Sequence, residues 1–335
     1  MNSPLVSILI ATRNNADIID RCLKSVIAQT YQNIEIIIIN DASTDNTLEV
    51  VQSIGRTETR SKTYSLEKSG GCPGARNEAM RRGVGEIYAF LDADATAAPN
   101  WIELMLKPFE SPDVAVVGGP DSVPEECTLV ARCIDYSMHS IIATGGLRRG
   151  SSNLSPYLPA GCNMLVRKSV VDQVGMFDGT MLWRGEEKEF LYRVLNAGHK
   201  IEYIHEARIW HFRRTTLKAF WRQMLLSGVA RIDIIERIPS SMALVHFVPG
   251  ILVAYLIIGF ICALISSAFA SLYWAAVFIL LGVFIVDGYF AYKKLGRIEA
   301  LYIATLTTAI CPIGYGLGIL LRLAGWPQKW KRMTK

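Results

Sequence analysis

Ile34-Glu35-Ile36-Ile37-Ile38-Ile39-Asn40-Asp41-Ala42-Ser43-Thr44-Asp45 is a β-branched run that ends in a polar cluster. An almost unbroken apolar run of this length is the pattern of a strand buried on both faces of a parallel sheet. Upstream, residues 6–11 form a shorter run of the same kind, closed by Thr12-Arg13-Asn14-Asn15. Between the two, residues 18–28 place Ile19, Leu23, Val26 and Ile27 on one helical face. Downstream, Ser43 is positioned to cap a helix over 44–54. A strand near 62–66, a helix near 73–82 and a strand at 87–91 continue the series. This alternation with short connections predicts an α/β fold with a doubly wound, mostly parallel sheet. Further along, the spacing predicts helices over 101–109, 128–142 and 187–197, and strands over 114–118 and 164–166. Residues 145–159, rich in Gly, Ser and Pro and carrying Arg148-Arg149, read as a loop.

Around Met242 the composition changes abruptly, and apolar residues dominate almost to residue 335. The net charge of +5 is modest. No block of Lys and Arg interleaved with aromatics marks a nucleic-acid groove, so no nucleic-acid partner is expected. The seven cysteines form no CxxC pair and no repeated spacing, which excludes a zinc ribbon or a disulfide framework and favours a reducing compartment. Residues 5–11 are too short for a signal sequence and read as the first strand.

In open α/β sheets, ligands bind at the carboxyl ends of the strands. Three polar clusters fall there: Thr12-Arg13, Asp41 to Asp45, and Asp92-Ala93-Asp94. Each alone is consistent with a turn and a helix cap. Together, on one edge of one sheet, they predict a pocket. In an extended segment Asp92 and Asp94 point to the same side. Such a pair suits a hard cation, Mg²⁺ or Mn²⁺, shared with substrate phosphate oxygens. A cation there would act as a Lewis acid on a leaving diphosphate.

Val6-Ser7-Ile8-Leu9-Ile10-Ala11-Thr12-Arg13-Asn14, Ile38-Ile39-Asn40-Asp41-Ala42-Ser43-Thr44-Asp45, Gly74-Ala75-Arg76-Asn77 and Phe90-Leu91-Asp92-Ala93-Asp94 follow one another as the motifs of glycosyltransferase family 2 do. The resemblance continues through Gly161-Cys162-Asn163 and Gly185-Glu186-Glu187, covering nearly all of residues 4–230. It implies a GT-A fold and an inverting transfer from a nucleotide-sugar. It also implies residue roles. Asp41 would contact the base of the nucleotide, with Thr12 and Arg13 lining the same subsite. Arg76 would lie near the nucleotide or diphosphate. Asp92 would serve the ribose or metal side, and Asp94 would be the more direct metal ligand. The catalytic base is usually the Asp of a Glu-Asp pair; here the pair is Glu186-Glu187, which leaves both as candidates with Glu187 in the usual position. His211 falls where related enzymes carry a histidine near the diphosphate or metal. Arg213 and Arg214 would contact phosphates of the donor or of an acceptor.

The domain organisation expected is a cytoplasmic GT-A catalytic domain over 1–215, an amphipathic interfacial helix over 216–240, a membrane domain over 241–323 and a basic tail over 324–335. Hydrophobic segments at 242–266, 269–292 and 298–321 are each about the ~20 residues needed to cross a bilayer. Arg231 and Arg237 before the first segment, with Lys293, Lys294 and Arg297 after the second, predict a multi-pass protein of the cell membrane with its catalytic domain in the cytoplasm. Lys329, Lys331, Arg332 and Lys335 belong on the same side by the same rule, and a third full crossing would put them on the other. Pro312, Gly314, Gly316 and Gly318 leave open a re-entrant hairpin instead. Asp287 is expected to snorkel to the cytoplasmic interface.

The function expected is transfer of a hexose from a nucleotide-sugar, a UDP-sugar first and GDP-mannose next, to a polyprenyl phosphate or a polyprenyl-diphosphate-linked glycan. A polysaccharide synthase is the first alternative, but the Gln-x-x-Arg-Trp of processive relatives is only echoed, out of order, by Trp221-Arg222-Gln223. A non-catalytic nucleotide-sugar-binding membrane scaffold is the second.

Overall fold

In the computed structural model, which describes residues 3–145, 156–181, 184–212 and 216–326, the Ile34 run is a strand with all seven residues buried. The chain divides into two compact units. One comprises Met1–Pro124, Tyr157–Leu182 and Glu186–Phe212; the other comprises Glu125–Pro156, Trp183–Gly185 and Arg213–Lys335. In chain order the first stretch holds β1 (Val6–Thr12), α1 (Ile19–Ile27), β2 (Ile34–Asn40), α2 (Thr47–Gly55), β3 (Ser61–Ser65) and α3 (Gly71–Arg82). It continues with β4 (Ile87–Leu91), β5 (Ala95–Ala97), α4 (Trp101–Leu106), β6 (Val114–Gly118) and β7 (Asp121–Ser122). The chain then enters the second unit for α5 (Leu129–His139) and α6 (Ile141–Thr144). It returns to the first for β8 (Asn163–Arg167), α7 (Lys168–Val174), α8 (Glu186–Asn196), β9 (Lys200–Tyr203) and β10 (Ile209–His211). The second unit ends with α9 (Leu217–Arg237), α10 (Val248–Ile265), α11 (Ser267–Leu295) and α12 (Glu299–Leu323).

The main sheet has the order β3-β2-β1-β4-β8-β6-β9. All its pairings are parallel except those of β8, which runs antiparallel between β4 and β6. The α/β, mostly parallel architecture expected from the strand–helix alternation is therefore present. One charged residue sits inside the most apolar strand, and its partners explain how. Glu35 accepts hydrogen bonds from Ser7 Oγ at 2.7 Å and from the Val84 N–H at 2.6 Å. Burial alone would raise its pKa, but these bonds, with Lys62 at 3.3 Å, hold it below the ordinary value.

Two local expectations need correction. The helix expected over 44–54 starts at Thr47. Ser43 does not cap it; its Oγ accepts from the Asn14 N–H, and the Asp45 carboxylate accepts from the Thr47 N–H. The helix expected over 128–142 breaks at Ser140, whose extended backbone and Oγ start α6 instead. A hydroxyl able to take two backbone N–H donors favours a cap over a helix interior. Most of the 145–159 loop, including Arg148 and Arg149, lies outside the described residues.

A second sheet of three short strands, in the order β5-β10-β7, went unread in the sequence. It matters because it delivers the end of β10 to the end of β4. Asn163 holds it in place. Its side-chain oxygen takes the indole N–H of fully buried Trp101 at 2.8 Å, and its amide donates to the carbonyls of Pro120 and Ala207, both at 3.0 Å. Those two carbonyls precede β7 and β10.

Among the described residues of the second unit, three helices are long and apolar enough to cross a membrane: Leu244–Ile265, Ser267–Leu295 and Glu299–Leu323. The re-entrant break that the sequence left open near Pro312 does not occur, since α12 runs unbroken for 25 residues. Its glycines serve close approach instead. A methyl group on Gly318 would strike the Leu225 carbonyl of α9, and one on Gly316 the Pro249 carbonyl of α10. Small residues let helix backbones approach this closely. Asp287, expected to snorkel, is buried. It accepts from Tyr136 Oη at 3.1 Å, Ser140 Oγ at 2.9 Å and Thr308 Oγ1 at 2.6 Å. A carboxylate with three hydroxyl donors has no need to reach for water.

Candidate active site

β4 ends at Leu91, and the chain turns through Asp92-Ala93-Asp94 into β5. Ala93 is buried, while both carboxylates are partly exposed, at 34 % and 38 %. β10 runs antiparallel to β5, pairing His211 with Ala95, and the Phe212 N–H donates to the Asp94 carbonyl at 2.9 Å. This register sets His211 Nε2 3.2 Å from Asp94 Oδ1. One ligand atom each from Asp92, Asp94 and His211 lies within 4.8 Å of the others. Two carboxylate oxygens and an imidazole nitrogen are donors that a divalent cation takes, its remaining positions being filled by phosphate or water.

The other face of the imidazole has two neighbours absent from the sequence-based site. Asp121 Oδ2 lies 3.9 Å and Cys162 Sγ 3.8 Å from His211 Nδ1. Burial alone would lower the imidazole pKa; Cys162, Asp121 and Asp94 oppose it, and the net value lies well above the ordinary one. Burial also pushes the Cys162 thiol up, with His211 opposing. A carboxylate beside the second ring nitrogen orients a metal-binding histidine. Asp121 was legible only as the end of the turn-rich Gly118-Gly119-Pro120-Asp121, one more polar residue at a strand terminus.

Arg76, on α3, is buried between two acids. Its Nη2 donates to Asp92 Oδ1 at 2.7 Å and its Nη1 to Glu186 Oε1 at 3.2 Å. Gly161 makes room for it, because a Cβ there would stand 2.6 Å from Nη1. Glu186 and Glu187 both lie in the first turn of α8, where the helix dipole favours carboxylates. Burial raises the Glu186 pKa, with Glu187 adding and Arg76 opposing. Glu186 is buried, and Glu187 is half-buried.

At the end of β2, Asp41 is buried and accepts from Ser69 Oγ and the Gly70 N–H, both at 2.7 Å. Arg13 Nη1 donates to the same Ser69 Oγ at 2.9 Å. Thr12 is buried beside them, its carbonyl taking the Asp41 N–H at 2.8 Å. The sequence-derived residues thus form two groups within the first unit. One is Thr12, Arg13 and Asp41; the other is Arg76, Asp92, Asp94, Glu186 and His211, with Glu187 on the same helical turn as Glu186. Arg213 and Arg214 lie outside the described residues.

The chain has similar counterparts among known proteins. Residues 7–175 match the family model described as glycosyl transferase family 2. An uncharacterized glycosyltransferase of Rickettsia typhi is 32 % identical over 190 residues, 53 % of this chain and 55 % of the relative. The glycosyltransferase AglE of Haloferax volcanii is 25 % identical over 207 residues, 61 % of this chain and 65 % of AglE. The chain spans about half the length of the Rickettsia relative. Among solved structures, the mannosyltransferase PcManGT of Pyrobaculum calidifontis, in complex with GDP-Man and Mn²⁺, superposes with a TM-score of 0.66. It covers 97 % of this chain and 88 % of its own at 15 % identity, a likeness of fold. The matched segment carries β1 to β8, the Asp92-Ala93-Asp94 turn and Arg76, and on that ground the chain belongs to glycosyltransferase family 2.

Proposed function

We propose that this glycosyltransferase moves a hexose from a nucleotide-sugar, with inversion and with a divalent cation, to a lipid-linked acceptor at the cell membrane. The observation that carries the reading is the convergence of Asp92, Asp94 and His211 at the end of β4. Asp92, Asp94 and His211 would hold Mn²⁺ or Mg²⁺. When bound, that ion supplies Lewis-acid neutralisation of the departing diphosphate.

The remaining roles fall to the chain itself. Where the acceptor is a glycan hydroxyl, Glu187 takes its proton as that oxygen attacks the anomeric carbon and the nucleoside diphosphate leaves from the opposite face; a phosphate oxygen attacks already ionised. Glu186 anchors Arg76, and Arg76 in turn fixes one oxygen of Asp92. Asp41, tied to Ser69 and through it to Arg13, forms the nucleoside end of the pocket. Asp121 holds the orientation of His211 from the Nδ1 side. Arg13 and Arg76 suit a diphosphate donor of any base, so UDP-sugars remain first and GDP-mannose, the ligand of the PcManGT structure, next. A polyprenyl phosphate or a polyprenyl-diphosphate-linked glycan is the acceptor class. The three apolar helices support a membrane site, and Arg237, Lys293, Lys294 and Arg297 favour a cytoplasmic catalytic unit.

The test is incubation of the full chain in membranes with Mn²⁺ and labelled UDP-sugars or GDP-mannose. Label is expected in the lipid fraction with one donor, abolished by chelation and restored by Mn²⁺. Label that forms equally with and without chelator sinks the metal role, and no lipid label with any donor sinks the acceptor class.

A smaller change probes the Arg76 bridge. Gly161→Ala is expected to lower kcat/KM by about a hundredfold, because the new methyl displaces the guanidinium and misplacement by about 1 Å costs that much. Thermal melting compared with kcat/KM on the same samples separates lost positioning from lost folding.

A further inference from the structure

We propose that, among the described residues, the hairpin of α10 and α11 is the part of the chain that crosses the bilayer. On this reading α12, although long enough to cross, stays on the side from which the hairpin enters. The partner surface is lipid hydrocarbon, and it meets α10 and α11 rather than all three apolar helices.

The neighbours of α12 carry the inference. α5 accompanies its first half: Thr307 Oγ1 donates to the Cys133 carbonyl at 3.3 Å, and Ser137 Oγ lies 2.7 Å from Thr307 Oγ1 and 3.1 Å from Thr308 Oγ1. α9 accompanies its second half. Gly314 packs on Met224, Gly318 on Leu225 and Val229, and Arg231 Nε donates to Tyr315 Oη at 3.1 Å. At the far end Arg322 pairs with Asp233 at 2.7 Å and with Glu236. These companions are not membrane helices. α9 carries six charged residues in 21, Lys218, Arg222, Arg231, Asp233, Glu236 and Arg237, and α5 carries Arg132 and Asp135. Were α12 to cross, it would draw both helices into hydrocarbon, where such residues are strongly disfavoured.

Burial along the helices agrees. The apolar stretch of α12 is 44 % buried, against 17 % and 11 % for the two hairpin helices, and its mean hydropathy is 1.6 against 2.6 and 2.4. α10 meets α12 through Pro249, Gly250 and Val253 in its first two turns. α11 meets α12 and α5 through Asp287, Gly288 and Ala291 in its last third. Beyond these bases the hairpin helices touch each other at Gly259 and Tyr273 and otherwise turn Ile257, Ile261, Leu264, Leu272, Phe278 and Ile279 outward. From Ser267 to Val286, before its contacts with α12 begin, α11 rises about 30 Å, which matches a hydrocarbon core of about 30 Å.

Charge placement points the same way. With two crossings, Lys293, Lys294 and Arg297 after the hairpin fall on the same side as Lys329, Lys331, Arg332 and Lys335. With three, the two basic groups would be separated by the membrane, against the usual bias of Lys and Arg. The inference rests on packing and charge in the second unit alone, so it stands or falls independently of the proposed chemistry.

The experiment uses the full chain in a bacterial host with an epitope tag at the N-terminus, after Lys335, or between Ser266 and Ser267. Accessibility to an impermeant protease is compared between intact spheroplasts and inverted vesicles. The two terminal tags are expected to be shielded in spheroplasts and cleaved in inverted vesicles, with the loop tag behaving in the opposite sense. A C-terminal tag that sides with the loop tag overturns the proposal in favour of three crossings. A loop tag that sides with the N-terminal tag overturns it as well, by removing the crossing hairpin. In case the insertion disturbs the turn, Ser267→Cys labelled by an impermeant maleimide, against the unsubstituted chain as background, reports the same position with a single-residue change.

Discussion

Asp94→Asn is expected to lower glycosyl transfer by roughly a thousandfold or more, corresponding to the several kcal/mol a catalytic cation contributes. The substitution keeps the size of the side chain and removes the charge from the carboxylate that faces His211 Nε2 at 3.2 Å. Donor turnover at saturating Mn²⁺ and the Mn²⁺ titration should both fail together. If turnover instead stays within about threefold of the unsubstituted protein, far below the effect of losing a Lewis acid, the site is not a metal site. The histidine adds a pH dependence whose sign follows from its raised pKa. In the metal-free protein His211 keeps its proton to a higher pH than an ordinary imidazole at about 6.5. A cation must displace that proton, so apparent Mn²⁺ affinity should rise as pH climbs through the raised value. The stability that the two carboxylates lend the imidazolium is fully present below about pH 6.5 and is lost over the same rise.

Glu187→Gln is expected to reduce kcat by about a hundredfold to ten-thousandfold, the range that removal of a general base costs, while donor affinity is kept. Glu186→Gln should behave differently. Glu186 is buried and its Oε1 holds Arg76, so its loss loosens the guanidinium that also holds Asp92. The expected signature is a higher donor KM with a smaller change in kcat. Measuring both parameters for both variants decides between the acids. A collapse of kcat in Glu186→Gln with Glu187→Gln near normal would exchange their roles.

Much of this was readable from residue patterns, for definite physical reasons. β1, β2 and β4 are buried on both sides, so their apolar runs are nearly continuous, and the polar residues that end them lie at the sheet edge. That rule marks the clusters that hold Asp41, Asp92 and Asp94, and the roles expected of them follow only from the family resemblance. The second sheet was not readable, because β5, β7 and β10 have only three, two and three residues and show no periodicity. Asp121 and Cys162 were missed with it, since what brings them to His211 is the Asn163 clamp across distant loops. Glu186 and Glu187 could be distinguished only by Arg76, whose partners lie 16 and 110 residues away. Likewise the glycines of α12 looked like helix breakers until their neighbours were visible. A glycine pattern cannot tell a break from a close approach, because both require a missing side chain.

The excursion of the chain into its second unit between β7 and β8 has a practical consequence. α5 leaves the sugar-nucleotide unit to pack Cys133, Ile134 and Met138 against residues of α9, α11 and α12. A gene shortened just after β10, the obvious way to obtain a water-soluble enzyme, would therefore still encode α5 while deleting the residues of α9, α11 and α12 that cover it. The product would carry an uncovered apolar helix in the middle of its sequence and would call for detergent or for redesign of residues 125–156. In this protein solubility is a matter of editing an internal segment as well as removing a tail.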